Sequence, residues 1–285
     1  MSAFLHDLLN GNPLLLRSLA AMALAAFACG VAGTYVVLRR ESYAVGAVSH
    51  SLLGGIGLAL FCAAKWHLTW LTPWTGALVA AVAVPLLLTW CTVRLKMRPD
   101  TVLSAIWALG MAIGLSFITA MPGYQPDLNS YLFGSILMIA PADLALIAAL
   151  DLLIAIGALC WHQRFVTLAF HQELLELRGL SVTATQLVLQ LLVAMTVVIL
   201  SQMVGVVLCI ALLILPVAAA ATLSRRLGLI MLSGGLLCLL CCVLGVAVSY
   251  ERLPGGWLLS PGATIVELAA LSYFLIAALH KAKKK

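Results

Sequence analysis

Charge is what this sequence has least of. Aspartate, glutamate, lysine and arginine make up 9% of its 285 residues and hydrophobic residues 64%, whereas a soluble domain carries about 25% charged residues. With a mean hydropathy of +1.14, so few polar groups cannot cover an apolar surface, and a water-soluble globule is excluded. No long polar stretch separates the apolar runs, so residues 1–285 read as one all-α membrane domain. Cysteine is missing from the polar loops: Cys29, Cys62, Cys91, Cys160, Cys209, Cys238, Cys241 and Cys242 all fall within apolar runs. That excludes an extracellular disulfide framework. Cys238-x-x-Cys241 has a metal-like spacing, but one such pair in a Leu/Gly-rich run reads more plainly as packing. Also lacking are Gly-x-Ser-x-Gly, His-Glu-x-x-His, a phosphate-binding Gly-rich loop and a second histidine within a turn of His50. The chain therefore carries no means of hydrolysing a nucleotide and no nucleophile–base pair. Its net charge of +6 does not point to nucleic acid, because the cations sit in short loops. The first apolar run is too long for a signal-peptide core and no basic region precedes it, so no cleaved leader is expected.

What is present is a series of spans. A membrane crossing needs about 20 apolar residues. Candidates are 14–38, 44–64, 73–93, 102–121, 141–161, 185–201, 204–223, 228–250 and 261–280. The sixth and seventh are short and meet at Ser201–Gly205, which suggests partial helices and a count of eight or nine. Of the 16 Lys and Arg residues, Arg39, Arg40, Arg94, Lys96, Arg98, Arg164, Arg178, Arg225, Arg226, Lys281, Lys283, Lys284 and Lys285 fall on one side. Arg17, Lys65 and Arg252 fall on the other. Basic loops stay in the cytoplasm, so the N-terminus is expected outside and the C-terminus inside. Trp66, Trp70, Trp74 and Trp257 then form an outer interfacial belt.

The stretch from Arg39 to Gly57 holds the most informative residue, His50. On a helix, Gly46, Ala47, Leu53 and Gly54 share its face, with Gly57 two turns on. An ionisable side chain inside a span is a functional hypothesis by default. A helix-packing stripe with a hydrogen-bonded histidine explains the spacing equally well. Of the other ionisable groups, Asp143 follows Pro141 and reads as a helix cap. Asp151 and Glu267 read as buried carboxylates, and Gln186, Gln190 and Gln202 as interhelical hydrogen-bond formers. Two connections are more than turns. Residues 121–137 begin with Pro/Gly chemistry and end in an apolar piece too short to span, a candidate re-entrant helix. In residues 164–181, Leu168, Leu174, Leu175 and Leu177 with Glu173, Glu176 and Arg178 suggest a short amphipathic helix stopped by Gly179. Such a helix lies on lipid or docks a cytoplasmic partner, and periodicity does not choose between them.

Three motifs carry a resemblance. Arg39-Arg40 followed by Ala47-Val48-Ser49-His50-Ser51-Leu52-Leu53-Gly54 resembles the basic turn and Gly-Asp-x-x-Ser/Ala-His segment of the permease subunits of bacterial ABC importers for zinc, manganese and iron. Residues 127–137 resemble that family's Tyr-Leu-Phe-Gly-x-Ile/Leu-Leu piece. Residues 204–220, with Pro216, resemble its Val-Gly-x-Leu-Leu-x-x-Ala-Leu-Leu-x-x-Pro run. The ordered set covers nearly the whole chain. It implies a permease that moves a divalent metal ion into the cytoplasm across a bacterial inner membrane, with the ion as cargo and no tightly bound cofactor. It also implies a homodimer or close heterodimer, two cytoplasmic ATPase subunits and an extracytoplasmic metal-binding protein. Phe170, Glu173, Glu176 and Gly179 would dock the ATPase. His50 would meet the ion in transit, and Gly46, Gly54, Gly57 and Pro216 would line or pack the pathway. Two departures stand out: Gly46 occupies the place of the family's aspartate, and Gly255–Leu259 lengthen an outer loop. The alternative is an ion-coupled secondary transporter using Asp151 or Glu267.

Overall fold

The structure, a computed structural model, describes residues 3–68, 70–122, 134, 136, 138–206, 208–250 and 259–283. Its helices are α1 (Ala3–Leu9), α2 (Pro13–Arg39), α3 (Ser42–Trp66), α4 (Pro73–Val93), α5 (Pro99–Thr119), α6 (Pro141–Phe170), α7 (Gln172–Leu177), α8 (Val182–Met203), α9 (Cys209–Leu223), α10 (Leu227–Tyr250) and α11 (Pro261–Lys283). Eight of them, α2–α6, α8, α10 and α11, are long and apolar enough to cross a membrane. The fold is an all-α, multi-pass bundle. Prolines open α2, α4, α5, α6 and α11, where the missing N–H costs no intrahelical bond and φ is already helical. Pro85 and Pro216 lie inside α4 and α9, a placement membrane helices tolerate when neighbours satisfy the freed carbonyl.

Side-chain bonds sort the helix ends into two sets. Arg39, closing α2, donates to the Leu168 carbonyl near the end of α6, and Tyr43 at the start of α3 meets Ser104 at the start of α5. At the other end, the Trp74 indole N–H donates to Asp143, joining the starts of α4 and α6. Tyr250, closing α10, donates to Asp7 just ahead of α2. Alternation along the chain then brings Arg39, Arg40, Arg94, Arg164, Arg178, Arg225 and Arg226 to one end, with Arg17 and Lys65 towards the other. Arg252 lies outside the described residues, as do Lys284, Lys285 and Trp257.

The sixth span is longer than its apolar run suggests: α8 has 22 residues and is a full crossing. Only the seventh is abbreviated. Gly205, at φ +93, turns the chain after Met203, and α9 then has 15 residues. At a 1.5 Å rise these cover about 22 Å, less than the roughly 30 Å hydrocarbon core. Asp143 caps α6 by accepting the Ala140 N–H, as its position after Pro141 suggests. Most of residues 121–137, including the Tyr131-Leu132-Phe133 piece, lies outside the described residues, as do Gly255–Leu258.

At the centre is α3, in contact with α4, α5, α8 and α9. Its small residues set these approaches. A Cβ at Gly57 would lie 2.6 Å from the Gly114 carbonyl oxygen, one at Gly54 3.0 Å from that of Gly110, and one at Gly55 would strike Gly76 of α4. Backbones this close are how membrane helices gain packing without a hydrophobic driving force between them. Gly54 and Gly57 thus face the α3–α5 seam, and Pro216 is buried in α9.

Candidate functional site

The site grows from the turn between α2 and α3. Arg40 adopts a left-handed conformation (φ 57°) and its N–H reaches the carbonyls of Val36 and Val37, which ends α2 and reverses the chain. Arg39 folds back on Glu41, with contacts of 2.6 and 2.9 Å. Two turns into α3, Ser49 is bonded to the Val45 carbonyl and lies 2.9 Å from the Cys209 thiol at the start of α9. Ser51 donates to the Ala47 carbonyl within α3 and to the Ile106 carbonyl on α5. These bonds fix the rotation of α3 about its axis, and hence the direction of the residue between them.

That residue is His50, 8% exposed. Its ring stacks on the Trp107 indole of α5, with centroids 4.7 Å apart and planes 14° apart. Its Nδ1 is buried with no hydrogen-bond partner among the described residues. The bare face one turn before it is also filled: a Cβ at Gly46 would sit 2.7 Å from Trp107 Cζ3. Trp107 in turn leans on Tyr43 at 5.5 Å. Trp107 was not among the residues expected from the sequence. The available signal was its place in the middle of a span, away from the interfacial belt where tryptophan collects.

Towards the basic end a cleft of about 490 Å³ is lined by Arg39, Glu41, Tyr43, Asp100, Gln186 and Gln190, among others. Gln186 and Gln190 were expected to bridge helices. They line this cleft instead, and the Gln190 side-chain oxygen is buried without a partner among the described residues. Glu267 was expected to be buried, and it is exposed on α11. Asp151 is buried, at 4% exposed, with neither oxygen partnered among the described residues.

The segment after the fifth span departs from a single amphipathic helix. Helix α6 continues as far as Phe170, with Leu168 buried at its end. His171 breaks it, and only Gln172–Leu177 form the separate α7. The Gly179 N–H bonds to the Glu176 carbonyl and the Leu180 N–H to that of Leu175, with Gly179 at φ +69. This is a left-handed helix stop that glycine adopts without strain. Leu175 is buried, whereas Phe170 is 58% and Leu177 84% exposed, flanked by exposed Glu173 and Glu176. A cleft of about 710 Å³ runs between this helix and Arg39–Arg40.

Cys238, Cys241 and Cys242 are buried free thiols, and Cys241 faces Ser272 at 3.9 Å. Among the described residues no group of three His, Cys, Asp or Glu side chains is arranged to hold a metal ion.

Known proteins resemble this chain in sequence and in the arrangement of its helices. The chain is 34% identical over 238 residues to a "probable metal transport system membrane protein" of Chlamydia trachomatis, covering 84% of this chain and 81% of that one. It is 35% identical over 265 residues to an uncharacterised membrane protein of Synechocystis, covering 93% and 90%. The fold is that of a chain in the structure of PsaBC from Streptococcus pneumoniae in complex with Fab, with a TM-score of 0.81, 22% identity and coverage of 96% and 94%. The model of the ABC 3 transport family matches residues 12–280. On the match across nearly its whole length, this chain belongs to the ABC 3 transport family.

Proposed function

We propose that the chain is the membrane-spanning permease subunit of a bacterial ABC importer that carries a divalent transition metal ion, such as zinc, manganese or iron, into the cytoplasm. The observation that carries this reading is His50: a buried imidazole whose Nδ1 has no partner among the described residues, on the central helix of a chain from the ABC 3 transport family. The metal-transport name of the chlamydial relative supports the cargo class. The ion is cargo rather than a resident cofactor. The chain carries no nucleotide-binding motif, so hydrolysis falls to two ATPase subunits docked at the basic end, against α7. A second protomer places a second His50 on a shared axis, and a metal-binding protein delivers the ion at the end bearing Trp74. Deleting the gene should abolish high-affinity uptake of one or more of radiolabelled zinc, manganese and iron, with recovery on complementation. Uptake of all three unchanged by the deletion would refute the reading.

The basic end is the cytoplasmic one on this reading, because short basic loops are retained there. In a cysteine-free background, single cysteines at 94 and 178 should react with an impermeant maleimide only after the membrane is opened. A cysteine at 65 should react in intact spheroplasts. Labelling of residue 178 from outside would invert the proposed orientation.

A further inference from the structure

The face of α3 that presents His50 has no room for another ligand one turn before it, and the reason is steric. A Cβ at Gly46 would lie 2.7 Å from Trp107 Cζ3, 3.0 Å from Cη2 and 3.4 Å from the Ile210 side chain. A side chain at 46 enters only if the indole, whose outer edge occupies that volume, is displaced. The same ring stacks on His50 at 4.7 Å, leans on Tyr43 at 5.5 Å, and is backed by the 2.8 Å hydrogen bond between Tyr43 and Ser104 of α5. Gly46 and Trp107 are thus one steric unit across the α3–α5 seam. The glycine admits the indole, and the indole keeps position 46 empty.

The consequence lies in donor chemistry. Among the described residues no carboxylate is paired with His50, and its Nδ1 has no partner. Imidazole suits zinc, copper, iron and nickel ions, whereas carboxylate and other oxygen donors suit manganese, magnesium and calcium. We infer that the Gly46–Trp107 pair is a selectivity element: by holding a carboxylate off the His50 face, it sets this site to favour nitrogen-preferring, zinc-like ions over oxygen-preferring manganese. The inference rests on His50 lying on the cargo path, as proposed above.

Equilibrium dialysis of the full-length chain in detergent tests it, with 65Zn and 54Mn as probes. Only the binding lost on adding His50→Ala to each variant is counted. The Gly46→Asp/Trp107→Ala double variant should gain manganese affinity by about 10-fold relative to zinc. Gly46→Asp alone should stay near the parent ratio, because the indole still fills the site. A purely structural role for Trp107 would weaken both metals together and leave the ratio unmoved. If the double variant folds poorly, Gly46→Asp/Trp107→Leu retains more packing volume and reads the same ratio. An unchanged ratio overturns the inference. So does a single Gly46→Asp shift as large as that of the double variant, or a parent with no His50-dependent zinc binding. Should His50→Ala abolish uptake while the ratio stays fixed, only the selectivity inference fails. Normal uptake by His50→Ala takes the transport role of His50 down with it.

Discussion

Uptake of the metal should fall to background when His50 is replaced by alanine, with the protein still inserted in the membrane and able to bind its partner subunits. The structure separates these two outcomes. His50 Nδ1 makes no hydrogen bond among the described residues, so truncation leaves no buried partner unsatisfied, which is the costly consequence of deleting a bonded polar group. What is lost is a ring stacked on Trp107 and the imidazole nitrogens themselves. His50→Phe distinguishes the two contributions, because it restores an aromatic stack and supplies no ligand. It should be as inactive as His50→Ala, while its thermal unfolding in detergent stays nearer the parent's. In the proposed two-fold assembly each substitution removes both imidazoles at once, so the effect is expected to be a complete loss rather than a partial one. Initial uptake rates, measured beside the amount of permease in the membrane, provide the check. Transport at the parental rate by either variant would make His50 a packing residue and route the ion past other groups.

Reversing the charges on α7, as Glu173→Lys/Glu176→Lys, should sharply reduce recovery of the ATPase subunit with the permease, and uptake with it. Helix α7 is an unusual object at the end of a bundle. Six residues long, it is anchored by one buried leucine, Leu175, and presents Leu177 outward, while Phe170 at the end of α6 is also exposed and Glu173 and Glu176 lie between the two. A helix this short does not persist alone in water, so its neighbours hold it in place. Exposed apolar groups flanked by charge, beside a cleft bordered by Arg39 and Arg40, have the character of a docking surface. Gly179→Pro should act through the backbone instead. Residue 179 sits at φ +69 and proline requires about −65, so the turn that stops α7 is lost and the helix shifts on its anchor. Both variants should insert normally, because neither touches a span. The decisive comparison is ATPase co-purification beside ATP-driven transport in vesicles. Unchanged recovery together with unchanged transport would assign α7 to the lipid surface.

Much of this protein is legible in its sequence. Span positions follow from apolar run length, because the hydrocarbon core demands about 20 residues whatever the fold. Helix starts at Pro13, Pro73, Pro99, Pro141 and Pro261 follow from a local rule about a missing N–H. The segregation of basic residues needs only alternation along the chain, and Gly179 announces its own left-handed turn. His50 stands out because an imidazole among glycines in a span is rare and costly.

Tertiary structure decided which of these features meet. Periodicity placed Gly46, His50, Gly54 and Gly57 on one face and could not say what covers it. The answer divides the stripe: Gly54 and Gly57 are spent on backbone contact with Gly110 and Gly114, and Gly46 on the Trp107 indole. Trp107 lies a full span and two loops away from His50 in the sequence, and no local rule connects them. The same limit explains Glu267 and Gln190. Exposure of the one, and the oxygen of the other without a partner among the described residues, depend on neighbours from other helices, which hydropathy does not register. Helix α6 overran its apolar stretch to Phe170 because Tyr35, bonded to His162 at 2.7 Å, and Arg39 hold its polar end against α2. Sequence alone determined what kind of protein this is and where it crosses the membrane, since both depend on composition and period. The surroundings of its one buried histidine were set by helix packing, since close approach between distant segments is a property of the folded chain.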